Sequence, residues 1–281
     1  MKNKMKGFLP LLVAPLILVA CSGDQEDQEN EGQEENTEEV EDQQGQDGQE
    51  ASNESDQAEA DQEAQYTLNE ESFRIEPIEG SGADSQVVLM TFDDAPDNYA
   101  LEIAEILHDH DVPAIFFVNA MYLDDQEGQD QLHAIHDMGF EIGNHTYNHP
   151  NLQEISEEAQ RAEIVDTNDR VEELIGVRPR FFRPPFGAQT DYSYQVAEEE
   201  GMQSMNWSYG YDWESQYQDP DALADIMVNS EFLSDGANLL MHDREWTKDA
   251  VEDIILGFEE KGYGLSLIHI SEPTRLGMIS Y

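Results

Sequence analysis

The chain predicts an α/β domain built on a parallel sheet, open or closed into a barrel, and three observations carry that expectation. Between Gln86 and Gly264, strand-like apolar runs alternate with stretches of helical periodicity. About 180 residues follow this pattern, enough for one domain with a substantial core. The polar exceptions Asp93, Asp94, His145, His149, Arg183, Asp212 and His242 each fall just after an expected strand. In barrels of this kind that is the edge where chemistry is placed.

Val87 to Phe92 reads as the first strand, followed by a helix whose stripe is Ala100, Ile103, Ala104 and Leu107. Ala114 to Val118 is a second buried strand. Leu132 and Ile135 belong to a helix stopped by Gly139, and Phe140 to Asn144 leads as a third strand into His145. Ser156 opens a long helix with the stripe Ile164, Asn168, Val171 and Ile175, closed by Gly176. Arg180 to Arg183 forms a fourth strand. A helix from Thr190 to Glu200, a strand from Met202 to Trp207, an aromatic loop through Asp212 and Trp213, and a helix starting at Pro220 follow. Asn238 to Met241 is the last clear strand, and Thr247 is expected to cap a helix bearing Ala250, Val251, Ile254, Ile255 and Phe258.

The flanks read differently. Residues 1–21 resemble a secretion signal, with Lys2, Lys4 and Lys6 before an apolar stretch from Phe8 to Val19 that is short for a bilayer span. It ends Leu18-Val19-Ala20-Cys21, which resembles a bacterial lipobox and implies a lipid anchor on Cys21, on the outer face of the cell membrane. Cys21 is the sole cysteine, so no intrachain disulfide forms. Residues 22–65 read as an acidic, self-repelling tether: Asp24 to Gln65 holds eighteen Asp or Glu and no Lys or Arg. Residues 66–85 form a lead-in, 86–264 the folded domain. Residues 265–281, including His269, resemble a translated sequencing adapter and are set apart from any site.

Acidity extends through the domain: from Tyr66 to Gly264 there are 44 Asp or Glu against nine Lys or Arg. Such a field repels nucleic acid and itself unless counterions screen it. The expectation is a host living in high salt, with no nucleic-acid or protein partner.

Two stretches carry the chemistry, Thr91-Phe92-Asp93-Asp94-Ala95-Pro96 and His145-Thr146-Tyr147-Asn148-His149-Pro150. The first puts adjacent carboxylates at a strand end. The second spaces two imidazoles by four residues, and one helical turn of that length would turn both rings to one side, where they grip a cation. Two imidazoles and a carboxylate leave coordination sites open to water, which suits catalysis, and the second carboxylate is free to act as a base. That ligand set favours zinc, with cobalt, nickel or manganese as alternatives.

At these residues the chain resembles the polysaccharide deacetylase family, the NodB-homology domain of carbohydrate esterase family 4, with all five family motifs in order from Val87 to Gly262. The resemblance implies a deformed (β/α) barrel and a metal-dependent removal of acetyl groups from an N-acetylated glycan polymer. Peptidoglycan is the expected substrate because an anchored, tethered domain reaches the wall. Exopolysaccharide, chitin oligomers, acetylated xylan and a non-catalytic wall-binding lipoprotein are the alternatives.

By position, the resemblance implies Asp93 as general base, Asp94, His145 and His149 as metal ligands, and Arg183 as the group that orients the base. It gives Phe186 a backbone N–H for the oxyanion, Asp212 the tuning of the acid, Trp213 a pocket wall, Leu240 the lining of the acetyl-methyl pocket, and His242 the role of general acid. Two departures stand out. Ala95 replaces the usual Gly, and the fourth motif, Trp207 to Trp213, has one residue fewer between its tryptophans.

Overall fold

The computed structural model describes residues 64–265, so the expectations for the leader, Cys21, nearly all of the tether and the adapter-like tail lie outside the described residues. None of the described helices is long and apolar enough to cross a membrane.

A short antiparallel hairpin, β1 (Tyr66–Leu68) and β2 (Ile75–Pro77), precedes the main sheet. The sheet is wholly parallel. Its strands are β3 (Val87–Ala95), β4 (Ala114–Val118), β5 (Glu141–Asn144), β6 (Phe181–Phe182), β7 (Gln203–Ser204), β8 (Tyr209–Gly210) and β9 (Ala237–His242), in the spatial order β7-β6-β5-β4-β3-β9-β8. A last strand, β10 (Gly264–Leu265), pairs with the start of β3. The helices are α1 (Ala100–Asp109), α2 (Gln126–Asp137), α3 (Glu157–Ile175), α4 (Asp191–Glu199), α5 (Pro220–Asn229) and α6 (Glu245–Glu260). The result is a curled parallel sheet with helices outside it, a deformed (β/α) barrel. All its strands end at one edge.

Alternation along each strand decides what faces inward. On β3, Val88, Met90 and Phe92 join the outer core with Ile103, Leu107, Ile254 and Phe258, while Val87 and Leu89 belong to an inner cluster with Ile115 and Phe117. The period of two continues the inner face through Thr91 to Asp93. On β9 the same rule sends Leu239 and Met241 outward and leaves Asn238, Leu240 and His242 on the inner face. Tyr66, Leu68 and Ile75 pack into the inner cluster, so the hairpin plugs the barrel interior below the site. Its approach needs Gly236, at φ 74°, where a Cβ would sit 2.0 Å from the Ile75 carbonyl oxygen.

Helix ends follow the expected signals. Ser156 and Thr190 accept from the amides of Ala159 and Ser193, Gly176 closes α3 at φ 75°, and Pro220 occupies the first turn of α5. Three expectations need correction. The strands read over Arg180–Arg183 and Met202–Trp207 shrink to two residues each, Phe181–Phe182 and Gln203–Ser204. Thr247 does not cap α6, which starts at Glu245; it lies buried within the first turn. The stretch from His145 to Pro150 is not helical at all.

Candidate functional site

The two histidines meet through an irregular loop in place of a helical turn. Thr146 and His149 sit in the left-handed region, at φ 71° and 55°, which costs a non-glycine residue about 1–2 kcal/mol. Hydrogen bonds hold the loop there. Asn144 Oδ1 accepts from the Thr146 amide at 2.8 Å, and Asn119 Nδ2 donates to the carbonyl of His145 at 2.6 Å. Glu163 on α3 accepts from the backbone and side-chain nitrogens of Asn148 at 2.7 and 2.8 Å. Asn144 is itself held by Asn168, which puts that polar member of the α3 stripe to structural use.

His145 Nδ1 lies 2.7 Å from the carbonyl of Arg183. A carbonyl only accepts, so Nδ1 carries the proton and the Nε2 lone pair faces the cleft. That Nε2 is 3.9 Å from Asp94 Oδ1, and His149 Nε2 is 3.5 Å from the same oxygen. Ligand atoms of Asp94, His145 and His149 all lie within 4.8 Å of one another, the one such group found among the described residues. Donors on a tetrahedral zinc would stand about 3.3 Å apart, given bonds of about 2.0–2.1 Å, so the set fits a divalent cation after a small contraction. Burial raises the Asp94 carboxyl, but His145, His242, His149 and Arg244 together hold it below its ordinary range. The His149 imidazole is lowered by burial and by His145, which keeps it neutral as a ligand must be.

Asp93, 2% exposed, is gripped by Arg183, whose Nη1 donates to Oδ1 at 2.7 Å. Arg183 is fully buried and does not pair with surface acids. Its remaining donors reach Thr91 Oγ1, Asn238 Oδ1 and the carbonyls of Met205 and Asn206, and its plane lies 4.2 Å from the Phe117 ring centre. Asp93 Oδ2 is 3.5 Å from His145 Nε2, so this carboxylate borders the cation position.

On the opposite flank, His242 Nδ1 meets Asp212 Oδ1 at 2.7 Å. Asp212 is wholly buried, and its Oδ2 accepts from the His242 amide at 2.5 Å and from Thr247 Oγ1 at 2.8 Å. Burial lowers the His242 imidazole, yet Asp212, then Asp93 and Asp94, outweigh it and raise the group above its ordinary value.

Aromatic walls complete the cleft. Phe186, at φ 59° and 68% exposed, sets its ring 4.8 Å from that of His149; Trp213, 46% exposed, sets its ring 5.6 Å from His242. Trp213 also packs over Gly210 onto buried Leu240: a Cβ at Gly210 would sit 2.8 Å from the indole and 2.2 Å from the Leu240 carbonyl. At the departure from the family pattern, Ala95 keeps a negative φ and Asp94 takes the left-handed conformation, at φ 63°.

Arg244, Asp243, Asn238 and Glu163 join the site without having been expected there, and Thr247 was expected only as a cap. The signal for Asp243, Arg244 and Thr247 was their position, directly behind His242 in a chain with few cations.

The sequence model of the family described as polysaccharide deacetylase matches residues 80–205. The chain is similar to the peptidoglycan-N-acetylglucosamine deacetylase of Bacillus cereus, at 31% identity, covering 62% of this chain and 64% of that protein. It thus spans 64% of the length of that relative. It is also similar in structure to the peptidoglycan deacetylase PdaC of Bacillus subtilis, with a TM-score of 0.58, 29% identity and coverage of 65% and 89%. A pseudoenzyme of carbohydrate esterase family 4 from Bacillus anthracis aligns at TM-score 0.58, 31% identity and coverage of 63% and 62%. Identity is 33% with a mutant of that pseudoenzyme described as having restored activity, at TM-score 0.58 and coverage of 63% and 64%.

Proposed function

We propose that this chain, whose residues 80–205 match the polysaccharide deacetylase model, is a metal-dependent hydrolase that removes N-acetyl groups from an N-acetylglucosamine polymer and releases acetate. The observation that carries this reading is one convergence: Asp94, His145 and His149 around a single point, with Asp93 on Arg183 at one flank and His242 on Asp212 at the other.

The cation, with zinc favoured by two imidazoles and one carboxylate, would polarise the acetyl carbonyl and lower the pKa of a water. Asp93 takes that water's proton, and Arg183 holds the receiving carboxylate in the cleft. Asp212 accepts from His242 Nδ1–H and favours the doubly protonated ring, whose Nε2–H is the proton available to the departing amine nitrogen. The Phe186 amide serves the oxyanion, Leu240 receives the acetyl methyl group, and the rings of Phe186 and Trp213 wall the sugar.

Peptidoglycan is the proposed polymer, supported by the similarity to two peptidoglycan deacetylases. The lipobox-like Cys21 and the acidic tether support an anchored enzyme on the outer face of the membrane, within reach of the wall. Poly-N-acetylglucosamine, chitin oligomers and acetylated xylan are the other substrates of the same chemistry. The similarity to a pseudoenzyme supports a second reading, a non-catalytic wall-binding protein. The joint presence of Asp93 and His242 favours the first.

Acetate release from purified peptidoglycan with added zinc, for wild type and Asp93→Asn, separates them. General-base loss predicts a drop of about 10²–10⁴-fold. Equal release in both would overturn the assignment, and none in either would favour the binding protein.

A further inference from the structure

The two oxygens of Asp94 face different partners. Oδ1 looks toward the imidazoles, while Oδ2 accepts a 2.6 Å hydrogen bond from Arg244 Nη2. Arg244 is 34% exposed at its side chain but is not loose, since its Nη1 donates to the Asp243 carbonyl at 2.7 Å. The backbone beneath it is tied down as well. The buried Asp243 carboxylate accepts from the amides of Asp97, Asn98 and Tyr99 at 2.7, 2.9 and 2.5 Å, and the Asp243 amide donates to the Asp93 carbonyl at 3.1 Å. Four hydrogen bonds thus lock the root of Arg244 to the chain on either side of Asp94.

We propose that Arg244 is a positioning residue for the metal-binding carboxylate: by occupying Oδ2 it leaves Asp94 only Oδ1 to offer a cation. The inference rests on the reading that Asp94, His145 and His149 hold a divalent ion. A carboxylate free to turn can engage a cation through both oxygens and take up a position that water needs. Asp94 has particular need of a guide, because its left-handed backbone points it away from the alternation that aims Asp93. A guanidinium also repels a dication, so the two effects of Arg244 on affinity have opposite sign. Measurement tells them apart.

Zinc affinity of the full chain, measured by competition with a chromophoric chelator, is compared for wild type, Arg244→Ala, Arg244→Lys and Asp94→Asn. Loss of a partner that orients a ligand costs about 10–100-fold in metal affinity, and Arg244→Ala is expected in that range. Arg244→Lys, which keeps the charge without the two-pronged fork, recovers part of the loss. In the cobalt-loaded proteins, the visible absorption of Arg244→Ala weakens as a second carboxylate oxygen joins the ion. Zinc binding by Arg244→Ala as tight as wild type, or tighter, would overturn the proposal and leave Arg244 as a repelling charge. Melting curves show whether either Arg244 variant has lost its fold, and the lysine variant carries the test if the alanine one has. No zinc binding by wild type overturns this inference together with the metal site. Zinc binding without acetate release from any N-acetylated glycan overturns the proposed function alone.

Discussion

Replacing Asp212 with Asn tests how the acid flank is poised. Asp212 accepts three hydrogen bonds, from the His242 amide at 2.5 Å, His242 Nδ1 at 2.7 Å and Thr247 Oγ1 at 2.8 Å. Asn preserves the shape, removes the charge, and turns one acceptor into a donor that must face one of these donors. In the wild type, burial alone would push the His242 imidazole down, and the Asp212 carboxylate beside it is the main reason it rises instead. A charge-assisted hydrogen bond contributes about 1.5–3 kcal/mol, so without it burial dominates and the imidazole falls from its raised position. The sign follows. A raised His242 stays protonated to higher pH, so the rate falls as pH rises through its folded value, and in the variant that basic limb moves toward acid. Stability behaves alike: the wild-type contribution is complete below the unfolded value of about 6.5 and is lost as pH rises through the folded one. NMR titration of the His242 ring nitrogens in metal-free protein measures the shift without a substrate, and the pH profile of kcat/KM on N-acetylated glycan measures its consequence. An unchanged titration midpoint in Asp212→Asn would refute the reasoning.

Two further outcomes concern stability. Arg183→Met leaves Asp93 as an unpaired buried charge, at a cost of about 3–5 kcal/mol; at about 2–4 °C per kcal/mol the melting temperature should drop by roughly 6–20 °C, and an unchanged melt would show the pair to be dispensable. The excess of 44 acids over nine bases between Tyr66 and Gly264 predicts that raising NaCl from 0.1 to 1 M, which shortens the screening length from about 10 to about 3 Å, raises the melting temperature; no rise would remove the proposal of a high-salt host.

How much of this was legible depends on the range of the interaction. The long strands could be read because β3 and β9 are apolar on both faces, Thr91 and Asn238 apart, up to the point where Asp93 and His242 appear, and a period of two then aims both into the barrel. Helix ends could be read where a single side chain makes the cap, as at Ser156, Thr190 and Gly176. Strands β6, β7 and β8 have two residues each, too few for any period to show, and they are fixed by pairing with their neighbours in the sheet. The spacing of His145 and His149 suggested that they share one ion, but for the wrong reason. Left-handed Thr146 and His149 could not be read locally, since the neighbouring Asn144 acts together with Asn119 and Glu163 from two other parts of the chain.

Cations are the stronger guide in so acidic a chain. With nine in the domain, a cation without a purpose would find acids anywhere, and Arg178 illustrates that ordinary fate with Asp169, Glu172 and Glu200 around it on the surface. Arg183 and Arg244 are different, for each grips one of the two adjacent carboxylates, Asp93 and Asp94. Two like charges side by side at a strand end repel each other and any acidic surroundings. The fold assigns one guanidinium to each, buried for the carboxylate proposed to receive a proton and half-open for the one proposed to face an ion. That division of labour is what lets neighbouring residues of the same type carry different chemistry.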